Sequence, residues 1–187
     1  CGGSVDYVSN TAPVWGLDET AVSGNNYLGM HPQLASMAGQ NSTIPSEYIS
    51  IPLSSPLVVG NTYDLSFYYA IGQLNGLAFF SIWSAQNLGN NAGYFKAWLG
   101  YSNCDTAYHL HSTAVIPNES VGWQLSSNMF TAPAPYTHLI LAPVGIAPGN
   151  LTPYMLLDWV TLCETTILST ELESFNAQKQ GRQNQLK

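Results

Sequence analysis

Residues 49–71 read ISIPLSSPLVVGNTYDLSFYYAI, and this stretch decides the fold class. Its second half alternates: Tyr63, Leu65, Phe67, Tyr69 and Ile71 point one way, Asp64, Ser66, Tyr68 and Ala70 the other. That is the period-two signature of a β-strand with one buried face. Pro52 and Pro56 in the first half have no N–H to give to a ladder, so they mark an edge or a bend. Gly60-Asn61 then turns the chain into the strand.

Working outward, residues 23–30 (SGNNYLGM) read as a turn into a short strand that ends at His31-Pro32, and residues 47–51 as an alternating strand. Residues 77–85, 94–101, 109–116, 122–131, 137–144 and 154–163 read as further strands between turn-rich loops. In residues 94–101, Tyr94, Lys96, Trp98 and Gly100 line one side. Residues 1–23 read as irregular, and no helical periodicity of useful length is present. The expectation is an all-β chain, a two-sheet jelly-roll β-sandwich over residues 1–163. Residues 164–187 are polar, with Phe175 their one aromatic, and read as a linker with a disordered or strand-like end.

Only 8% of the 187 residues are charged, against roughly 25% in an average soluble domain. The surface is dressed instead with Asn, Gln, Ser, Thr and Tyr, which suits a secreted sandwich that meets neutral polar partners such as sugars, or copies of itself. The formal charge is −7, and Lys179, Arg182 and Lys187 lie in the tail, so Lys96 is the one Lys or Arg in residues 1–163. Without a basic patch to neutralise phosphates, a nucleic-acid partner is excluded. No apolar run approaches the ~20 residues of a membrane span, and no signal peptide is present, so membrane insertion is not expected. The three cysteines, Cys1, Cys104 and Cys163, are compatible with one disulfide and one thiol left over, in an oxidising compartment.

Several pieces together resemble a family of galactose-binding-like jelly rolls, similar to carbohydrate-binding modules, in proteins that Bacteroidota export by the type IX secretion system. They are SGNNYLGM (23–30), EYISIPLSSPLVVGNTYDLSFYYA (47–70), GWQLSSNMFTAP (122–133), YTHLILAP (136–143) and YMLLDWVTL (154–162), in the family's order. STELESFNAQKQGRQNQLK (169–187) looks like the opening of an immunoglobulin- or fibronectin-like domain, which would make the chain an excerpt of a longer surface protein. The resemblance implies a first strand beside the closing one, and nothing like it precedes Cys1. An open sheet edge would invite another strand, from a neighbouring chain or from residues 164–187. It also implies a structural Ca²⁺ at Asp158, although the family's partner Glu is absent here. Asp105-Thr106-Ala107 resembles the O-glycosylation signal of that phylum, with Thr106 as acceptor.

Sugar recognition needs flat aromatic faces for C–H stacking and amides or carboxylates for the hydroxyls. Candidates are Tyr7, Trp15, Tyr94, Trp98 and Tyr101 with Asn91 and Asn103, and Tyr94 and Trp98 stand out because they lie near an Asn/Gly loop. Trp83 and Trp123 sit in strands whose pattern favours burial. Cys104, Asp105, His109 and His111 form a metal-like set, with the two histidines two apart in a strand and so on one side, but the pattern lacks a fourth ligand and ordinary strand residues are the simpler reading. Catalysis finds little support: Asp18-Glu19 are sequence neighbours rather than carboxylates facing across a cleft, and there is no Gly-x-Ser-x-Gly elbow. The chain therefore reads as a non-catalytic extracellular module that binds a polysaccharide or other glycan. The alternative is a structural subunit or adhesin that stacks or exchanges strands with other copies in a surface filament.

Overall fold

The computed structural model describes residues 5–11, 17–32, 47–74, 77–78, 92–118, 121–146, 153–165, 177–180 and 183–186. Its strands are β1 (Asp6–Ser9), β2 (Asn26–Met30), β3 (Ile49–Pro52), β4 (Thr62–Ile71), β5 (Gln73–Leu74), β6 (Leu77–Ala78), β7 (Ala92–Gly100), β8 (Tyr108–Ser112), β9 (Gln124–Thr131), β10 (His138–Ile146), β11 (Met155–Glu164), β12 (Ala177–Gln180) and β13 (Gln183–Leu186). One antiparallel sheet has the order β1-β2-β11-β4-β9 and the other β3-β10-β7-β8. β2 pairs with β11, β3 with β10, β4 with β9 and β7 with β8. The chain is thus one long ribbon of nested pairs that passes from sheet to sheet, which is the winding of a jelly roll. β5–β6 and β12–β13 are separate two-stranded ribbons.

The alternation read in residues 63–71 sets the core. Leu65, Phe67, Tyr69 and Ile71 of β4 face Phe95, Ala97 and Leu99 of β7 and Leu139 and Leu141 of β10, all buried in one cluster. Phe67, Tyr69 and Phe95 meet edge to face, each pair of centroids 6.1 Å apart. Each such ring, fully buried, stabilises the fold by about 1.5–3 kcal/mol. Pro52 ends β3, which among the described residues pairs only with β10, so the proline stands on a sheet edge there and its missing N–H costs nothing. Gly60 takes φ +88° in the turn into β4.

The five-stranded sheet also buries part of its outer face, where Val8, Leu17, Tyr27, Ala70, Tyr154 and Leu156 cluster. Tyr154 lies across Gly29, where a Cβ would fall 2.2 Å from its Oη, and its hydroxyl donates to Asp6 Oδ2 at 2.6 Å.

Three expectations need correction. Residues 6–9 are a strand on the edge of the five-stranded sheet, not irregular chain, because they find a partner in β2. The strand expected over 109–116 ends at Ser112, leaving Ile116 in an isolated bridge to Gly93. His109 and His111 do not share a side: a register shift between Ala97 and Trp98 sends His109 outward beside Trp98, while His111 reaches Ser126 Oγ of the opposite sheet at 3.0 Å. Of residues 77–85, only 77–78 are among the described residues.

Candidate functional site

β11 carries an irregularity that its sequence does not announce. Met155, Leu156, Leu157 and Asp158 pair with β4 in register, then the register shifts before Thr161. At the shift Trp159 takes φ +46°, a left-handed conformation that costs a bulky residue about 1–2 kcal/mol. The carboxylate of Asp158 holds it there. Oδ1 accepts the Trp159 N–H at 2.6 Å, and Oδ2 accepts the N–H groups of Val22 and Ser23 at 2.6 and 3.2 Å. The indole, which strict alternation would put on the core side with Leu157, is instead 52% exposed.

Trp159 borders a groove of about 300 Å³ between β1–β2 of one sheet and β3 of the other. Tyr7, 64% exposed, stands on the same groove, with Ile49, Ile51, Leu157 and Val160 among its lining and Asn26 supplying an amide. A second cavity of about 370 Å³ shares Ile51 and Val160 and extends along Leu53, Leu57 and Leu162 to Glu164. Two open aromatic faces, an amide and an apolar floor can stack and hydrogen-bond a flat polar ring.

Other titratable groups sit toward the outer face of the five-stranded sheet, where Tyr27 also borders the groove. The Glu19 carboxyl oxygens are buried without a hydrogen-bond partner. Burial pushes its pKa up to about 7, Asp18 adds a little in the same direction, and the backbone N–H groups of Gln73 and Glu19 itself oppose the rise. Tyr27 is raised by burial and by Glu19, and its hydroxyl donates to the Glu19 carbonyl. His31 is lowered by burial, while its backbone N–H donates to Glu47 Oε2 at 2.5 Å.

The residues singled out in the sequence are not brought together at one place. Tyr7 lies on the groove. Tyr94 is half-buried on the outer face of the four-stranded sheet, with Lys96 Nζ 5.9 Å from its ring centroid. Trp98, on that same face, is only 8% exposed, packed with Ile140, Ala142 and Tyr48. Tyr101 is exposed beyond the end of β7 and leans on Tyr136, which stacks on Tyr108; Asn103 is exposed in the following loop. Thr106 is half-buried in that loop. Trp15 and Asn91 lie outside the described residues. Trp123 is half-buried against Tyr27, and its Nε1–H donates to the Thr20 carbonyl. Trp159 is the residue the sequence reading missed.

Cys104 is disulfide-bonded and accepts a contact from the Tyr48 hydroxyl; Cys163 is an exposed free thiol, and Cys1 lies outside the described residues. Asp105 accepts the Tyr101 N–H at 2.8 Å, and among the described residues no three His, Cys, Asp or Glu side chains gather as metal ligands. The surroundings of Asp158 do not fit Ca²⁺ either. Three amide N–H groups turn their positive ends to this carboxylate, an arrangement that holds an anion without a cation.

No protein-family model matches the chain, and no curated protein matches it. Solved structures with a similar fold include a C-terminal family 6 carbohydrate-binding module from a marine laminarinase of Zobellia galactanivorans, 12% identical over 85% of this chain and 98% of that one, with TM-score 0.44. A family 22 xylan-binding domain of Paenibacillus barcinonensis is 15% identical over 87% and 82%, with TM-score 0.46. The C-terminal family 22 module of a Clostridium thermocellum protein is 13% identical over the same shares, with TM-score 0.48. At these values the likeness carries no functional weight, and the assignment of a two-sheet jelly roll rests on the strand pairing itself.

Proposed function

We propose that the protein is a non-catalytic, extracellular module that binds a polysaccharide in the groove between Tyr7 and Trp159, within a larger secreted or surface protein. The observation that carries this reading is Trp159: a backbone held in an unfavourable conformation to turn an indole out of the core is what a binding face requires and what packing alone does not. The low charge of the chain and the disulfide at Cys104 support a secreted setting. Affinity electrophoresis in gels containing neutral xylan, β-glucan or galactan tests it. Retardation by one of them, lost in Trp159→Ala and Tyr7→Ala, is the expected result; free migration in every gel, or retardation unchanged in both variants, overturns it.

A second reading has its own observation. On the side of β11 away from β4, β2 covers only Met155, Leu156 and Leu157, so among the described residues 159–164 have no strand there. The cavity lined by Leu53, Leu57 and Leu162 together with Ser54, Ser55 and Glu164 adjoins that part of β11. This arrangement suits a strand donated by another copy, as in a surface filament. Light scattering separates the readings: a monomer at micromolar concentration leaves the glycan module, and concentration-dependent growth favours the filament.

A further inference from the structure

The strands of the two sheets divide Asp and Glu from Lys and His, while Asp105 lies in the loop between β7 and β8. β1, β2, β11, β4 and β9 carry Asp6, Asp64, Asp158 and Glu164 and no Lys, Arg or His. β3, β10, β7 and β8 carry Lys96, His109, His111 and His138 and no Asp or Glu. In a chain of net charge −7 whose first 163 residues contain one Lys or Arg, that residue thus stands on the one sheet free of carboxylates.

Lys96 lies on the outer face of this sheet. It shares that face with Trp98 and Tyr94, which alternate with the buried Phe95 and Ala97, and it pairs in register with Ser112 of β8. His109 opposes Trp98, is exposed, and meets Ser112 Oγ at 3.0 Å. Among the described residues, Lys96 has no carboxylate partner; its one interaction is with the Tyr94 ring. An ammonium group beside an aromatic ring, a hydroxyl and an imidazole, with no counter-charge of its own, is a place for an anion. The carboxylates of the other layer stand across the core from it, beyond the ~10 Å that separates packed sheets, too far for any of them to pair with Lys96.

We propose that this outer face is a second binding site, separate from the Tyr7–Trp159 groove, and that it takes an anionic sugar, with Lys96 holding the acid group and Tyr94 beside the ring. The acid group is a uronate carboxylate or a sulfate ester, whose shared chemistry is a negative charge with several acceptor oxygens on a pyranose. Selectivity comes from the acid group: a neutral glycan leaves Lys96 solvated and gains nothing from it.

The test runs the full chain in affinity gels containing polygalacturonate, a sulfated galactan, or neutral galactan as the uncharged control. The expected result is stronger retardation by at least one anionic polymer than by galactan; polygalacturonate alone assigns a uronate and the sulfated polymer alone a sulfate ester. Lys96→Gln, its fold checked by thermal melting, weakens that retardation about tenfold or more, the loss of one charge-assisted contact. Lys96→Arg restores it. Equal retardation by charged and neutral gels, or a Lys96→Gln variant that runs as the parent does, overturns the proposal. Since neutral binding depends on Trp159 and anionic binding on Lys96, either site can fail while the other stands.

Discussion

The carboxylate of Asp158 caps the backbone of Trp159, its Oδ1 accepting the N–H at 2.6 Å while the residue holds φ +46°. One polar side chain thereby fixes both the break in β11 and the direction of the most exposed tryptophan among the described residues. Glycine adopts this conformation without penalty, so Trp159→Gly removes about 1–2 kcal/mol of strain and loses only the contacts of a half-exposed ring. Thermal melting is expected to show a stability equal to or a little above the parent's, while affinity electrophoresis shows retardation by neutral glycan abolished. A large drop in melting temperature would mean that the indole is structural.

Asp158→Ala leaves the N–H groups of Val22, Ser23 and Trp159 without their acceptor. Unsatisfied buried donors cost about 1–3 kcal/mol each, and partial exposure reduces the sum, so a loss of about 2–4 kcal/mol is expected in urea denaturation. Because these amides, not a cation, neutralise the carboxylate, a chelator added to the parent protein should leave its melting temperature where it was. A fall on chelation would restore calcium at this position.

Glu19 makes stability depend on pH with a definite sign. Its folded pKa, about 7, lies above the ordinary value of 4.5, so between these the folded protein binds a proton that the unfolded chain does not. The contribution is full below about pH 4.5 and is lost as pH rises through 7. His31, lowered by burial, and Glu47, raised by it, also titrate, with opposite signs. The difference between parent and Glu19→Gln isolates Glu19: the parent's melting temperature is expected to fall more steeply than the variant's from pH 5 to 7.5. Parallel curves would show that the carboxyl is solvated.

Gly29→Ala puts a Cβ 2.2 Å from Tyr154 Oη, and Tyr154 is wholly buried with its hydroxyl committed to Asp6. Overpacking of this kind costs about 1–3 kcal/mol or more. The ring carbons Cε1 and Cζ would lie 2.4 Å from that Cβ as well, so in denaturant titrations the double variant with Tyr154→Leu, which removes the whole ring, should lose less than the two single variants summed. Additive losses would place the strain in the backbone.

The strands were legible where one face is buried and the other wet, and hidden where that rule lapses. β4 alternates cleanly because its inner residues meet the opposite sheet, and the same logic placed Tyr94, Lys96 and Trp98 on one face. β1 was hidden because a four-residue edge strand with only Val8 buried has no pattern to show. Trp98 stood out as a ligand contact because it lies near an Asn/Gly loop, yet it packs with Ile140, Ala142 and Tyr48 on its side of the sheet. Trp159 and His111 were displaced by register shifts. A single extra residue reverses every side chain beyond it, and period-two reading cannot see the insertion.

Because Lys96 lies in the strands of one layer and Asp6, Asp64, Asp158 and Glu164 in those of the other, charge is spread unevenly across the thickness of the sandwich. A negatively charged fibre would repel the two faces of the protein unequally, and least on the Lys96 side. Its orientation on a matrix would then be set in solution, ahead of any recognition of individual sugars.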